Sequence, residues 1–302
     1  VHINPYIVLG SAIVGLLVGT TGAGGGALMT PMLILLFNVQ PDKAISSDLV
    51  AAVVMRPLGA LVHFRQGTVN TRLVGLLAAG SVPMAFLGAY FLHLLKESQN
   101  AQTNIERLLG SALLLGAAAM VFRFVLDRRA GNRREGVVHD IDIHPVRTIA
   151  IGMIGGLVVG MTSVGSGSLM IVLMLFLYPM LGANQLVGTD LAQALPLTGA
   201  AALGALAFGS VSFGVTTSVI IGSVPAVLVG SVVSSRAPDR VIRPVITFAI
   251  LASGLKYVGV GTTDLGWTLV GVLFAGFLAW LLTAAPWRPA GPAAEDNAAV
   301  ET

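Results

Sequence analysis

The sequence predicts an all-α polytopic membrane protein. It reads as two inverted repeats, each a Gly-rich broken helical hairpin plus three transmembrane helices, with one extra C-terminal helix. Three observations carry this. Of 302 residues, 10% are charged and 55% hydrophobic, whereas soluble domains are about 25% charged; mean hydropathy is +0.87. Glycine is abundant, with 37 residues, as where membrane helices pack closely. The chain also repeats its Gly, Asp and Pro residues at offsets of 141 or 142.

Composition excludes several classes. A chain this apolar is not disordered. A net charge of +3 spread over loops makes no nucleic-acid footprint. The absence of cysteine removes disulfides, thiolate nucleophiles and Cys-based metal sites. The first apolar stretch lacks a basic n-region and runs past any h-region, so no cleavable leader is expected.

A spanning helix needs about 20 apolar residues. Apolar segments run over 6–21, 27–37, 45–64, 73–95, 105–126, 146–161, 168–178, 186–208, 215–233, 241–260 and 265–282. Two of them, 27–37 and 168–178, are too short to span, and each follows a longer segment across a Gly-rich break. The chain divides into a first membrane repeat (1–126), a basic cytoplasmic loop (127–145), a second repeat (146–260), an extra helix (261–285) and a disordered tail (286–302).

The repeat is read from Gly19, Thr21, Gly24, Gly26, Leu28 and Met29, which recur as Gly160, Thr162, Gly165, Gly167, Leu169 and Met170. Asp48 and Leu49 recur as Asp190 and Leu191, and Gly80, Ser81, Val82 and Pro83 recur unchanged as Gly222, Ser223, Val224 and Pro225. If each broken segment returns to its own side, three crossings follow and the second repeat is inverted. That arrangement puts twelve basic residues inside and four outside, against nine and seven if the broken segments cross. The positive-inside rule favours the hairpins. Seven full spans follow, with the N-terminus outside and the C-terminus cytoplasmic.

Each break joins glycines to hydroxyl residues. The first holds Thr20, Thr21, Gly22, Gly24, Gly25 and Gly26; the second holds Thr162, Ser163, Gly165, Ser166 and Gly167. Irregular backbone at membrane depth lines a cavity or is buried in protein. The helix start after it offers free N–H groups and partial positive charge, a ready anion site. Two such starts in inverted repeats meet near the midplane in many secondary transporters. Neither break is a nucleotide loop: no Lys-Ser/Thr follows the glycines, and no strand precedes them.

Arg56 falls near mid-bilayer, where a charge marks a substrate path or is neutralised by Asp48 or Asp190. Its repeat partner is Thr198. Asp48 and Asp190 read either as N-caps or as carboxylates that take up a proton or pair with Arg56. Gln193, one turn past Asp190, is a neutral donor on the same face. His63 reads as an interfacial histidine or as a carrier of a coupling proton, and the arginines of 128–134 as a topology signal or a site for anionic lipid.

These motifs resemble the TauE/SafE family of sulfite exporters: the duplicated glycine pattern from Gly19 to Leu28, then Pro31, the run Ser46-Ser47-Asp48-Leu49, the exit from His63 to Val69, and the 80–83 motif. The resemblance covers residues 6–282. It implies an inner-membrane permease for sulfite, sulfonates or related anions, without enzyme activity or cofactor, and maps the glycine signature onto Gly22, Gly24, Gly25, Gly26, Gly165 and Gly167. A thiosulfate-uptake branch depends on pore cysteines, which are absent here. The expectation is therefore a secondary transporter moving a small sulfur-containing oxyanion by alternating access, with protons and membrane lipid as possible partners. The alternatives are an anion channel with the same pore or, further off, a membrane enzyme or assembly factor.

Overall fold

The computed structural model describes residues 3–21, 25–65, 67–130, 142–233, 239–261 and 264–271. Its helices are α1 (Pro5–Thr21), α2 (Gly26–Leu35), α3 (Pro41–Arg65), α4 (Thr71–Lys96), α5 (Ala101–Ala130), α6 (Pro145–Thr162), α7 (Leu169–Leu177), α8 (Ala183–Phe208), α9 (Phe213–Val233) and α10 (Asp239–Val258). Residues 264–271 are also helical, and there is no strand among the described residues. Residues up to Gly259 form one unit and those from Val260 another. Gly22, Gly24, most of the 127–145 loop and the tail lie outside the described residues.

Five stretches are long and apolar enough to cross a membrane: Thr71–Lys96, Ala101–Phe124, Pro145–Thr162, Gln185–Phe208 and Phe213–Gly230. Outward faces carry exposed Leu9, Ile13, Phe86, Leu203 and Ile221, a surface suited to hydrocarbon. Two apolar cores sit behind them. One surrounds Met29 and Leu33 of α2, and the other surrounds Met170, Ile171 and Met174 of α7.

Both broken segments fold back. Tyr178, the C-cap of α7, accepts the His144 N–H at 3.1 Å and lies 2.5 Å from the Thr148 hydroxyl, so the end of α7 returns to the first turn of α6. Likewise Met32 and Phe37, at and beyond the end of α2, pack on Gly10 of α1.

The halves exchange helices. α6 runs parallel to α4, and α1 parallel to α9, along seams of glycine against backbone carbonyl. A Cβ at Gly80 would stand 2.2 Å from the Ile149 oxygen, at Gly156 2.4 Å from that of Ser81, and at Gly160 2.2 Å from that of Ala85. In the other seam the values are 2.1 Å for Gly222 to Val8, 2.7 Å for Gly15 to Ser223 and 2.5 Å for Gly230 to Leu16. The first two contacts of each seam are equivalent positions of the two repeats, and Gly230 to Leu16 is answered by Gly88 to Leu157 at 2.7 Å. Only glycine lets backbones approach so closely, which is why the 80–83 motif recurs.

α3 and α8 run antiparallel. The Asn70 N–H, beyond the end of α3, donates to Thr189 Oγ1 near the start of α8 at 3.1 Å; the Ser212 N–H, beyond the end of α8, donates to Ser47 Oγ near the start of α3 at 3.1 Å. These two bonds are also repeat equivalents. One end of the bundle thus gathers the starts of α1, α3 and α9 with the ends of α4 and α8, tied by Asn4 N–H to Ser218 Oγ at 3.0 Å and by Lys96 to Asp42 and Ser210. The starts of α4, α6 and α8 lie at the other end.

The helix starts correct one expectation. α3 begins at Pro41 and α8 at Ala183, not at 45 and 186, so Asp48 and Asp190 are each the eighth residue of a helix. Neither is an N-cap. The polar first turns, with Pro41 opening one of them, continue the helix beyond its apolar part.

Candidate functional site

The two breaks meet. A Cβ on Gly26 would stand 1.8 Å from the Ser163 carbonyl oxygen, so the start of α2 lies directly on the turn that ends α6. That turn is glycine-dependent: Ser163 has φ 60°, Gly165 φ 117° and Gly167 φ 95°. Left-handed backbone of this kind favours glycine. Val164 is fully buried, and Thr162, Ser163 and Ser166 are nearly so, so this irregular stretch is enclosed in protein as membrane depth requires.

Asp48 ties three elements at this junction. Its Oδ2 accepts from Thr30 Oγ1 of α2 at 2.8 Å and from Ser163 Oγ at 2.8 Å. Its repeat equivalent Asp190 is held differently. It accepts the Gly167 N–H at the foot of α7 and, at 3.3 Å, the Gln193 amide, whose oxygen accepts from Ser81 Oγ at 3.3 Å. A protein carboxylate thus already sits at the start of α7, where charge and free N–H groups favour an anion.

Arg56 is half-buried on α3. It interacts electrostatically with Asp190 first and Asp48 second. The ion pairs of the described residues are His93–Glu97 at 3.6 Å and Lys96–Asp42 at 3.5 Å; Arg56 makes none. Its Nη2 is buried without a hydrogen-bond partner, and so is Ser166 Oγ in the second break. A cavity with room for about one water is lined by Ala27 and Leu28 of α2, Met120 of α5, Ser166 and Ser168 of the second break, and Ile246 and Ile250 of α10.

The other expected residues divide. Gly25, Gly26, Ser163, Gly165, Ser166 and Gly167 lie in the described turns around the junction. Thr20 donates its hydroxyl to the Leu17 carbonyl at 3.0 Å and Thr162 to that of Val158 at 2.6 Å. These hydroxyl hydrogens close their own helices rather than pointing at a ligand. Gln193 is buried and engaged at both ends of its amide. Gly22, Gly24 and the side chains of Thr21 and His63 lie outside the described residues. Thr30 was not singled out in the sequence, because it is a lone hydroxyl in an apolar stretch whose repeat position holds Ile171.

Paired helical hairpins around buried charge define a membrane transporter, and the comparisons agree. Residues 7–257 match the sulfite exporter TauE/SafE family, and the chain belongs to that family. It is 40% identical over 253 residues to the probable membrane transporter protein YjnA of Bacillus subtilis (strain 168), covering 83% of this chain and 98% of the relative. It is 24% identical over 250 residues to the probable membrane transporter protein YdhB of the same organism, covering 82% and 98%. No solved structure matches the chain. The protein is an integral membrane transporter and not an enzyme.

Proposed function

We propose that the protein carries a small sulfur-containing oxyanion, such as sulfite or an organosulfonate, by alternating access. The two halves act as inverted repeats about an axis in the membrane plane, supported by the antiparallel α3–α8 pair and its equivalent end bonds. The gathering of Arg72 and Arg147 at one end of the bundle supports a cytoplasmic placement of that end, with the Lys96 end outside. Rocking of one half against the other along the glycine seams would expose the junction to each side in turn.

The observation that carries the reading is the buried donor without an acceptor. Arg56 Nη2 has no hydrogen-bond partner, and a buried unpaired donor is costly. A planar guanidinium matches the oxygen geometry of an oxyanion. A thermal-shift screen of the purified protein against sulfite, sulfate, taurine and benzenesulfonate tests it. Stabilisation by one or more sulfur oxyanions, lost in Arg56→Gln, is the expected result. Stabilisation by none of them, or only by cations, would overturn it.

A further inference from the structure

The two repeat-equivalent carboxylates differ in the chemistry of their partners. Asp190 faces the Gly167 N–H, which only donates, and the Gln193 amide nitrogen. Those partners satisfy a carboxylate, and the Gly167 N–H cannot accept from a proton on the oxygen it faces. Asp48 faces two hydroxyls, Thr30 and Ser163, both on one oxygen. A hydroxyl donates or accepts by rotating. Asp48 is therefore satisfied as a carboxylate by two donors, and equally as a carboxylic acid donating to one hydroxyl while accepting from the other.

The charges around Asp48 sharpen the difference. α2 and α9 carry no charged residue. Those of α4 and α6 (Arg72, His93, Lys96 and Arg147) lie in their terminal turns. α5 brings Glu106 and Arg107 near its start and Arg123 near its far end, where Arg123 acts on Asp190. α8 contributes Asp190. Arg56 is the charged group whose field reaches Asp48 among the described residues. Arg56 also acts on Asp190, so its one charge is shared among the two carboxylates and an incoming anion. With Asp48 and Asp190 both ionised, a bound anion adds a third negative charge around one guanidinium in a low-dielectric site. A proton on Asp48 relieves part of that conflict.

Resting on the anion-transport reading above, we infer that Asp48 is the proton-carrying group of the cycle and that anion and proton move together in the same direction. The proton comes from water on the side where the site is open, binds Asp48, and is released to water on the other side once the anion has left. Asp48 is not an anion ligand. Its bonds to α2 and to the second break make the contact between the hairpins depend on the proton it holds.

The test uses the full-length protein in liposomes with a lumenal pH dye, the membrane potential clamped, and benzenesulfonate as probe, an anion at every working pH. Inward sulfonate flux through the native protein is expected to acidify the lumen. Asp48→Asn is expected to keep exchange of labelled for unlabelled sulfonate while losing at least ten-fold of the coupled proton flux. Proton flux in Asp48→Asn equal to the native level, or sulfonate uptake by the native protein without protons, overturns the inference and leaves the transport reading intact. No flux of benzenesulfonate, sulfite or taurine through the native protein overturns both. Should Asp48→Asn not fold, Thr30→Val keeps the carboxyl but removes a donor to its charged form. The pH at which uptake is half-maximal is then expected to move to more alkaline pH by about one unit, and an unmoved midpoint overturns the inference.

Discussion

Gly26 of α2 lies with its α-carbon on the backbone carbonyl of Ser163, so close that a Cβ would stand 1.8 Å from the oxygen. This is a contact between the two broken hairpins, and backbone on both sides leaves nothing soft to yield. Gly26→Ala is expected to lower the thermal midpoint of the detergent-purified protein by several degrees, since overpacking costs about 1–3 kcal/mol. An unchanged midpoint would mean that the hairpin tips stand apart in the purified protein.

The glycine seams make a second, graded prediction. Gly160→Ala and Gly222→Ala place a methyl 2.2 Å and 2.1 Å from carbonyl oxygens of the facing helix and are expected to destabilise by about 1–3 kcal/mol or more. Gly75, within α4, has nothing within 4 Å of its Cβ position. Gly75→Ala is expected to be neutral or to stabilise by up to about 1 kcal/mol through helix propensity. The comparison of thermal midpoints across the three variants checks it; equal effects would remove the seam argument.

The broken hairpins were legible in the sequence because their signal is local: two apolar segments too short to span, each behind a cluster of glycines. The 80–83 motif was visible as a repeat, but its role was not. Its partners, such as Ile149 for Gly80, lie on a helix of the other half, and such helix exchange is a long-range choice that periodicity does not encode. In the sequence Asp48 and Asp190 read either as caps or as functional carboxylates, because apolar patterning starts each helix a few residues late and hides its polar first turn. Thr30 escaped altogether. One hydroxyl among apolar neighbours carries no pattern, and its importance comes only from the carboxylate that folding brings to it.

Side placement gives a third prediction. The chain is naturally free of cysteine, so single introduced thiols report without background. Gln99, between α4 and α5, is exposed at the Lys96 end, and Val146, at the start of α6, is 81% exposed at the other end. A membrane-impermeant maleimide added to intact cells is expected to label Gln99→Cys and not Val146→Cys. The reverse pattern would turn the protein over in the membrane, while labelling of both at equal rates would contradict their placement at opposite ends.

Arg56 gives the fourth. Its Nη2 is buried without a partner, and it makes no ion pair with Asp48 or Asp190 although it interacts electrostatically with both. Both carboxylates have other hydrogen-bond donors, so neither depends on Arg56 for contact. Replacing it by Gln removes a costly charge near mid-bilayer and keeps two N–H donors. The variant is therefore expected to fold with a thermal midpoint near the native one, while stabilisation by sulfur oxyanions falls ten-fold or more in apparent affinity. Arg56→Lys is expected to recover part of that loss, because an ammonium supplies the charge without the planar fork that meets two oxygens at once. If Arg56 instead served only to neutralise the carboxylates, Arg56→Gln would lower the thermal midpoint sharply, and adding Asp190→Asn would restore it. Binding and stability therefore separate the two roles: an anion ligand loses affinity and keeps stability, and a structural counter-ion loses stability first.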